Sequence, residues 1–312
     1  MSERERKIVI VGPGAMGCLF AGLLDAPGRE VWLLDKDAER AALIAKQGVI
    51  VESGGARSVH RVRVTSDPHG PGAAGLIVIC VKAYDTAHAA ERSRPLAGPD
   101  TLVLSLQNGL GNVETLVRIF GPDRALGGTT AQGANLVAPG HVRHAGRGET
   151  VIGEPGAGVK RADKIAALFH QSGIETATTN DLEALIWSKL VINAAINPLT
   201  AILGVKNGAL PGSAAARELM ARAVDETVKI CDKKGIRLLF PDPLEKALAV
   251  ARATAENISS MLADVRARKR TEIREINGAV AREAAALAMS APANATLAQL
   301  VSALEETYAA RI

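Results

Sequence analysis

Apolar and polar positions follow one pattern in the first half of the chain and another in the second. Short, almost wholly apolar runs typical of buried strands cover residues 7–11, 30–34, 75–81 and 101–106. Segments of helical periodicity follow them at residues 15–24, 37–47, 84–92 and 110–119, and Asp37 is placed to cap the second. Strands without polar alternation, each followed by a helix, predict a parallel sheet covered by helices on both faces.

The pattern changes after residue 124. Between Arg124 and Glu154, short β-like pieces broken by glycines predict an antiparallel extension of the sheet, followed by a helix near 159–171 and a strand near 174–178. From about residue 180 the periodicity is helical, at residues 180–203, 213–234, 242–254, 257–288 and 294–310. We therefore predict an α/β domain over residues 1–179 and an all-α domain over residues 180–312.

The composition is that of a folded globular protein with few aromatic residues. Of 312 residues, 47% are apolar and 22% are charged, values that exclude a disordered or fibrous chain. Only 3% are aromatic, so we expect an aliphatic core and no base-stacking surface for nucleic acids. Lys and Arg number 37 against 33 Asp and Glu, a net charge of +4, which suits small anions better than polyanions.

The cysteines and the N-terminal residues favour a cytoplasmic location. Cys18 and Cys80 lie in apolar segments where buried thiols are expected, and no two cysteines have the C-x-x-C spacing. The N-terminal MSERERK has no apolar signal core, and no run approaches about 18 apolar residues, so neither secretion nor membrane insertion is expected. The basic run 266–270 lies inside a helical pattern and predicts a solvated helix face.

A glycine-rich loop follows the first predicted strand and opens the first helix. Its sequence is Gly12-Pro13-Gly14-Ala15-Met16-Gly17, a G-x-G-x-x-G motif. In this context the first glycine allows the tight turn, the second lets a pyrophosphate approach the backbone, and the third lets helix and strand pack closely. The free N–H groups of the helix N-terminus favour an anion. We therefore predict a Rossmann-type dinucleotide site that includes Ala15 and Met16.

Two adjacent residues at the end of the second strand give opposite indications about the cofactor. Asp35 follows the loop at about the 20-residue spacing at which a carboxylate accepts from the ribose 2′-hydroxyl of NAD. Lys36 follows at once and could hold the 2′-phosphate of NADP instead. The two indications stay open at this point.

A polar stripe runs along an otherwise apolar helix in the second half. Lys189, Asn193 and Asn197 recur every four residues and so lie along one face, and Pro198 predicts a kink beside them. Such groups need water, protein partners or a ligand, because an unsatisfied buried polar group costs about 1–3 kcal/mol. We interpret the lysine as a general acid and the amides as groups that orient a carboxylate or hydroxyl; a polar contact between helices is the alternative.

Lys82 and Asn108 follow the third and fourth apolar strands. Open parallel sheets bind ligands at the carboxyl ends of their strands, so both residues are candidates for the same site. The alternatives are a strand-end lysine that reaches solvent and an asparagine that forms an N-G turn.

These motifs together resemble the ketopantoate reductase (2-dehydropantoate 2-reductase) family. The resemblance runs from residue 9 to about residue 280 and is carried by IVGPGAMG, VICVKAYDT, LSLQNGLGN, WSKLVINAAINPLTAILGVKNG and ENISSMLADVRARKRTEIREINGAV. It implies a Rossmann domain followed by a helical domain, as in 6-phosphogluconate dehydrogenase-like folds. It also implies reduction of ketopantoate to pantoate, on the route to pantothenate and coenzyme A, with NADPH as cofactor. Because Asp35 departs from the family pattern, NADH stays a possible cofactor.

The resemblance assigns roles residue by residue. Lys189 matches the catalytic lysine, and Glu272 matches a glutamate near the nicotinamide ribose; we expect its carboxylate also to balance the charge of the lysine. Substrate-binding positions match Asn193, Asn197, Asn207 and Ser260. Cofactor-binding positions match Lys82, Asn108 and Ala134, with Gln132 as an insertion beside the last.

Two other functions stay open. One is a paralogous reductase of another 2-keto acid, because the residues around the substrate tail are not readable. The other is a non-catalytic NAD(P) sensor, which would have no need of a proton donor at residue 189. No metal is expected, because His141 and His144 have no cysteine or carboxylate cluster beside them. A small-molecule keto acid is the expected partner, and a homodimer is possible.

Overall fold

The computed structural model describes residues 7–156 and 158–310. These residues form two compact units, each with most of its contacts inside itself. Unit 1 contains the described residues up to Gln107 together with Gly111–Leu182, and unit 2 contains Asn108–Leu110 together with the described residues from Glu183 onward. The first six residues, on which the expectation about a signal sequence depends, lie outside the described part.

Unit 1 is an α/β structure. Its strands are β1 (Lys7–Val11), β2 (Glu30–Leu34), β3 (Val49–Ser53), β4 (Ala56–His60), β5 (Arg63–Thr65), β6 (Ala74–Ile79), β7 (Ala97–Ser105), β8 (Ala125–Thr130), β9 (Gly133–Ala138), β10 (His141–Gly146), β11 (Thr150–Gly153) and β12 (Thr176–Thr179). Its helices are α1 (Ala15–Leu24), α2 (Ala38–Gln47), α3 (Thr86–Arg92), α4 (Asn112–Phe120) and α5 (Lys160–His170). Asp37 caps α2 as predicted, because its side chain accepts from the N–H of Arg40.

The main sheet confirms the predicted parallel core. Within the described residues it has eight strands in the order β12-β11-β8-β7-β6-β1-β2-β5, and all neighbours are parallel except β11 and β8. From β5 to β8 this is the Rossmann strand order 3-2-1-4-5-6. Ile8 and Ile10 of β1 belong to one apolar cluster, whereas Val9 and Val11 belong to another, so both faces of the strand are buried.

The predicted antiparallel extension over residues 124–154 is correct only for β11. β8 instead continues the sheet in parallel with β7, and β9 and β10 leave it for a four-stranded sheet of order β4-β3-β10-β9. The reason is non-local pairing, because β10 runs parallel to β3, a segment for which the pattern predicted no strand. Val142 of β10 is fully buried in the main apolar cluster of unit 1, which stabilises this pairing.

Unit 2 is built from helices, as predicted. They are α6 (Leu182–Leu203), whose first residue belongs to unit 1, α7 (Ala214–Lys234), α8 (Pro243–Ala253), α9 (Ser260–Arg266), α10 (Asn277–Ala286) and α11 (Pro292–Glu306). The single helix predicted over 257–288 is wrong, because α9 ends at Arg266 and residues 267–276 form turns and irregular chain. The end of α9 is fixed by Arg268, which adopts the left-handed conformation at φ 52°. The N–H of Lys269 then bonds back to the carbonyl of Asp264. The basic run 266–270 is exposed, as predicted, but only Arg266 belongs to a helix, so the run is not a helix face.

The core of both units is aliphatic, as the shortage of aromatic residues predicted. Cys18 and Cys231 are buried, and burial raises the pKa of each thiol to about 12. Cys80 differs from expectation, because it lies just beyond β6 and is only half-buried.

Among the described residues, α6 alone is long and apolar enough to cross a membrane, with a mean hydropathy of 1.3. However, 72% of that window is buried inside the protein, as is usual for a core helix. The length and composition of α6 are therefore weak evidence for a membrane span.

Candidate active site

The glycine loop has the geometry of an anion-binding turn. Gly12 has φ +98° and donates its N–H to the carbonyl of Leu34. A Cβ on Gly17 would lie 2.0 Å from the carbonyl oxygen of Gly12, so only glycine allows α1 to approach the loop this closely. A Cβ on Gly14, in contrast, would meet no atom within 4 Å.

The first turn of α1 fits the phosphates of a dinucleotide. Gly14 is the N-cap residue and provides no side-chain cap to the N–H groups of the turn. Ala15 and Met16, which open the helix, are both half-buried. Open space over Gly14 and an uncapped helix N-terminus are the features that a pyrophosphate requires.

The carboxylate of Asp35 is not free. The side chain is 1% exposed, and Arg40 of α2 donates to it from Nε at 2.6 Å and from Nη2 at 2.5 Å. Lys36 is exposed, and its Nζ lies 3.0 Å from Oδ2 of Asp85. Arg40 was not predicted as a site residue; the signal in the sequence was a cation in the first turn of the helix that follows the acidic strand end.

A hydrogen-bonded group of side chains that was not predicted either lies beyond the ends of β6 and β7. The side chain of Gln107 donates to the carbonyl of Val81 at 2.7 Å and to the hydroxyl of Thr86 at 2.8 Å, and Thr86 donates in turn to Asn112. Lys82 lies beside this group, half-buried, at the start of a short 3₁₀ turn. The bonds fix the backbone that carries Lys82.

The polar stripe of α6 faces a loop that belongs to unit 2. Asn193 donates from Nδ2 to Oδ1 of Asn108 at 3.4 Å. The loop is anchored because Leu110 donates its N–H to the carbonyl of Glu275 at 3.0 Å. Between them, Gly109 has φ +84°, and a Cβ there would lie 2.5 Å from the same carbonyl oxygen. The structure therefore brings together two asparagines that were predicted separately.

Lys189 lies on the same face, one turn before Asn193, and is half-buried. Burial lowers its pKa from 10.5 to about 8, and the negative charge of Glu272 partly opposes this change. An ammonium group with this pKa is charged at neutral pH and gives up its proton more easily than an exposed lysine.

Glu272 is buried, at 6% exposure, in the non-helical segment between α9 and α10. Its neighbour Thr271 holds this segment, because the N–H and the hydroxyl of Thr271 both donate to Glu305, at 2.7 Å and 2.6 Å. The hydroxyl of Thr271 also accepts from the N–H of Ile273. These bonds place the carboxylate where its charge acts on Lys189.

The remaining candidates in unit 2 differ in their surroundings. Ser260 is exposed in the first turn of α9, whereas its neighbour Ser259 is buried, caps the helix and accepts from Thr200 at 2.7 Å. Asn207 is 8% exposed and donates from Nδ2 to Thr254, while its buried Oδ1 has no hydrogen-bond partner.

Ala134 lies in β9 opposite His144, within the four-stranded sheet of unit 1. The side chain of Gln132 contacts His144 and the carbonyl of Gly148. His141 pairs with Glu52. In the described residues, no group of three or more His, Cys, Asp or Glu side chains is placed to hold a metal ion.

Comparison with known proteins identifies the family. The profile described as "Ketopantoate reductase PanE/ApbA" matches residues 8–156, and "Ketopantoate reductase PanE/ApbA C terminal" matches residues 181–305. A 2-dehydropantoate 2-reductase from Halobacterium salinarum is 38% identical over 95% of this chain and 97% of its own length.

Solved structures agree in fold over almost the whole chain. A PanE/ApbA family ketopantoate reductase from Ralstonia eutropha JMP134 aligns with TM-score 0.88 and 32% identity, covering 97% of this chain and 99% of its own. D-Mandelate dehydrogenase in complex with NADH and anilino(oxo)acetate aligns with TM-score 0.90 and 27% identity over the same shares. On this evidence, the chain belongs to the ketopantoate reductase family.

Proposed function

We propose that this protein reduces 2-dehydropantoate (ketopantoate) to (R)-pantoate with a hydride from a nicotinamide dinucleotide, in the biosynthesis of pantothenate and coenzyme A. The observation that carries the proposal is Lys189, whose pKa is lowered to about 8, in line with Asn193 and Asn197 on one face of α6. Family membership and near full-length similarity to 2-dehydropantoate 2-reductases support the same conclusion.

We assign the dinucleotide to residues 1–179 and the keto acid to residues 180–312. In the first range the open space over Gly14 and the uncapped N-terminus of α1 fit a pyrophosphate. When bound, the dinucleotide supplies the hydride that the chain itself cannot supply. Asn108, Lys82, Ala134 and Glu272 are the further cofactor contacts in this proposal.

In the proposed mechanism, Lys189 acts on the keto oxygen. Its ammonium group stabilises the negative charge that develops there and then donates a proton from Nζ, which yields the hydroxyl of the product. Glu272 holds a compensating negative charge in the same surroundings. Asn193, Asn197, Asn207 and Ser260 orient the carboxylate and hydroxyl of the substrate, since reaction requires the two reacting atoms almost in contact.

We propose NADPH as the preferred cofactor. A free carboxylate at the end of β2 would select NADH by accepting from the ribose 2′-hydroxyl. Here both oxygens of Asp35 accept from Arg40, which leaves less capacity for a ribose. Lys36 is exposed beside this pair, and the side chain of Arg40 is 37% exposed. Two cations at this position suit a 2′-phosphate.

A second candidate function is reduction of a different 2-keto acid. The observation that favours it is the TM-score of 0.90 with a D-mandelate dehydrogenase whose complex contains anilino(oxo)acetate. That ligand carries an aromatic group where ketopantoate carries a branched hydroxyalkyl group. Both substrates share a 2-keto carboxylate group, which Lys189 and Asn193 would hold in the same way. The two substrates therefore differ only in the group attached to it.

A spectrophotometric assay tests these proposals together. Oxidation of NADPH and of NADH is followed with ketopantoate, pyruvate and phenylglyoxylate, for the parent protein, for Lys189→Ala and for Lys206→Ala as an exposed-lysine control. We expect ketopantoate with NADPH to give the highest kcat/KM and only Lys189→Ala to lose turnover. Preference for phenylglyoxylate would favour the second candidate, and cofactor binding without oxidation by any keto acid would favour a sensor.

A further inference from the structure

The central helix of unit 2 contains a backbone carbonyl that its own helix cannot satisfy. α6 continues through Pro198, which has no N–H to donate to the carbonyl of Ala194 four residues earlier. Ala194 is fully buried, so water does not reach the carbonyl. It lies in the turn between Asn193 and Asn197, the two amides of the polar stripe. An unsatisfied carbonyl there would cost about 1–3 kcal/mol.

A side chain from another helix supplies the missing donor. Asn277, the first residue of α10, is 0% exposed and donates from Nδ2 to the carbonyl of Ala194 at 2.9 Å. The same nitrogen donates to Oδ1 of Asn294 at 3.0 Å. Both atoms that face it are acceptors, so the amide must present its NH₂ group to them. Its own oxygen is buried without a partner, which marks this position as one that needs a donor.

Asn294, the partner of Asn277, is in turn held by the charged side chain of Glu226. Nδ2 of Asn294 donates to Glu226 of α7 at 2.8 Å and to the carbonyl of Ala223 at 3.0 Å. The carboxylate of Glu226 also accepts the N–H groups of Ala293 and Asn294, at 2.7 Å and 2.9 Å, where α11 begins. Asn294 therefore has one orientation, with its oxygen turned toward Asn277. The chain from α7 through α11 and α10 to α6 consists of charge-assisted and buried hydrogen bonds.

We propose that Asn277 is a positioning residue for the reaction: its side-chain amide replaces the backbone hydrogen bond that Pro198 cannot make, and so fixes the turn of α6 that carries Asn193 and Asn197. This inference rests on the proposed function. Without the bond, α6 can bend at the proline, and the two asparagines move relative to Lys189. A displacement of about 1 Å in a positioning group can lower turnover by about a hundredfold.

A double-mutant cycle between positions 198 and 277 tests the inference. Pro198→Ala restores an N–H that can bond to Ala194, so the donor of Asn277 becomes dispensable in that background. The cycle uses Asn277→Leu, Pro198→Ala and the double variant. For each protein we would measure unfolding by denaturant, kcat and KM for ketopantoate, and Kd for NADPH. Ser93→Ala is the matched control, because Ser93 is equally buried and donates to a carbonyl of α3, outside this chain of hydrogen bonds.

We expect Asn277→Leu to lower kcat by about tenfold or more in the parent background and by about threefold or less in the Pro198→Ala background, with Kd for NADPH unchanged. The unfolding equilibrium constant should show coupling of about tenfold, equivalent to about 1.4 kcal/mol. Ser93→Ala should shift unfolding but keep kcat within about twofold of the parent.

Equal losses in both backgrounds would overturn the inference, as would a kcat that Asn277→Leu leaves unchanged. If Asn277→Leu does not fold, Asn277→Ala completes the cycle. If neither folds in the parent background, folding in the Pro198→Ala background supports the inference, and failure in both contradicts it. A parent that binds NADPH but reduces no keto acid would refute the proposed function, whereas the unfolding cycle still measures the hydrogen-bond replacement.

Discussion

The buried carboxylate of Asp35 and the guanidinium of Arg40 form a two-point ion pair, with Nε to Oδ2 at 2.6 Å and Nη2 to Oδ1 at 2.5 Å. The N–H of Asp37 donates to the same carboxylate at 3.1 Å. The hydrogen bond with Asp35 raises the pKa of Arg40. The acidic residue that would select NADH thus has its charge balanced inside the protein.

Replacement of Arg40 by glutamine should change both stability and cofactor preference. The buried charge of Asp35 would lose its partner, and we expect the free energy of unfolding to fall by about 2 kcal/mol or more. The ratio of kcat/KM with NADPH to that with NADH should also fall. Denaturant unfolding and parallel assays with both cofactors measure these effects. Arg94→Gln, which breaks an exposed pair with Glu91, is the control, and an unchanged cofactor ratio in Arg40→Gln would contradict the proposed role.

Replacement by alanine should affect stability at one glycine of the loop and cofactor binding at another. An added Cβ at Gly17 lies 2.0 Å from the carbonyl oxygen of Gly12, so Gly17→Ala should unfold or strongly destabilise unit 1. Gly14→Ala meets no atom and has an ordinary φ of −75°, so its melting temperature should match the parent. The new methyl group occupies the space assigned to the pyrophosphate, and Kd for NADPH should rise by about tenfold or more. Normal NADPH affinity in Gly14→Ala would place the phosphates elsewhere.

The sequence predicted the parts of the fold that local patterns encode. β1 and β6 are apolar without alternation because both of their faces are buried, and a short stretch of sequence is enough to show this pattern. The four-stranded sheet was missed because Val142 pairs with Val51, far along the chain, and pairing of this kind leaves no local pattern. The end of α9 was missed because it uses Arg268 at positive φ instead of a glycine.

In the candidate site too, local sequence patterns predicted some residues, whereas others depend on packing between distant segments. The stripe with Lys189 follows from helical periodicity alone, and the loop of Gly14 follows from glycine spacing. The pairing of Arg40 with Asp35 depends on a side chain folding back from α2. Pro198 likewise implies a carbonyl in need of a donor, but only the packing of α10 shows that Asn277 provides it.

Turnover should depend on pH through Lys189. Burial lowers the pKa of its ammonium group to about 8, and the proposed role requires the protonated form. We therefore expect kcat for keto acid reduction to be highest below this value and to fall as pH rises through about 8. A pH profile of kcat measures this fall. A kcat that rises through the same pH range would assign Lys189 a different role.

The same group predicts how stability changes in alkali. Below about pH 8 Lys189 is protonated in the folded and the unfolded chain, and burial of its charge lowers stability. Between about 8 and 10.5 the unfolded chain binds more protons than the folded one, so this lysine makes the free energy of unfolding rise with pH. Denaturant unfolding of the parent and of Lys189→Met isolates the contribution. An identical pH dependence in both proteins would contradict the lowered pKa.

Alanine substitutions at Gly109 and Gly111 should distinguish the cost of a steric contact from the cost of backbone strain. Both have positive φ, +84° and +92°, but an added Cβ at Gly109 lies 2.5 Å from the carbonyl oxygen of Glu275, whereas at Gly111 it meets no atom within 4 Å. Gly111→Ala should therefore cost only the strain of a left-handed residue, about 1–2 kcal/mol. Gly109→Ala should cost more, because it also weakens the anchor between Leu110 and Glu275.

The loop at Gly109 also carries Asn108 to the stripe of α6. If the contact between Asn108 and Asn193 matters for the reaction, Gly109→Ala should lower kcat by about tenfold or more even under conditions where the variant is fully folded. Gly111→Ala should keep kcat within about twofold of the parent, because the strain it introduces does not displace Asn108. Steady-state kinetics of the two folded variants measures this difference. Equal activities of the two folded variants would contradict a role of this loop in the reaction.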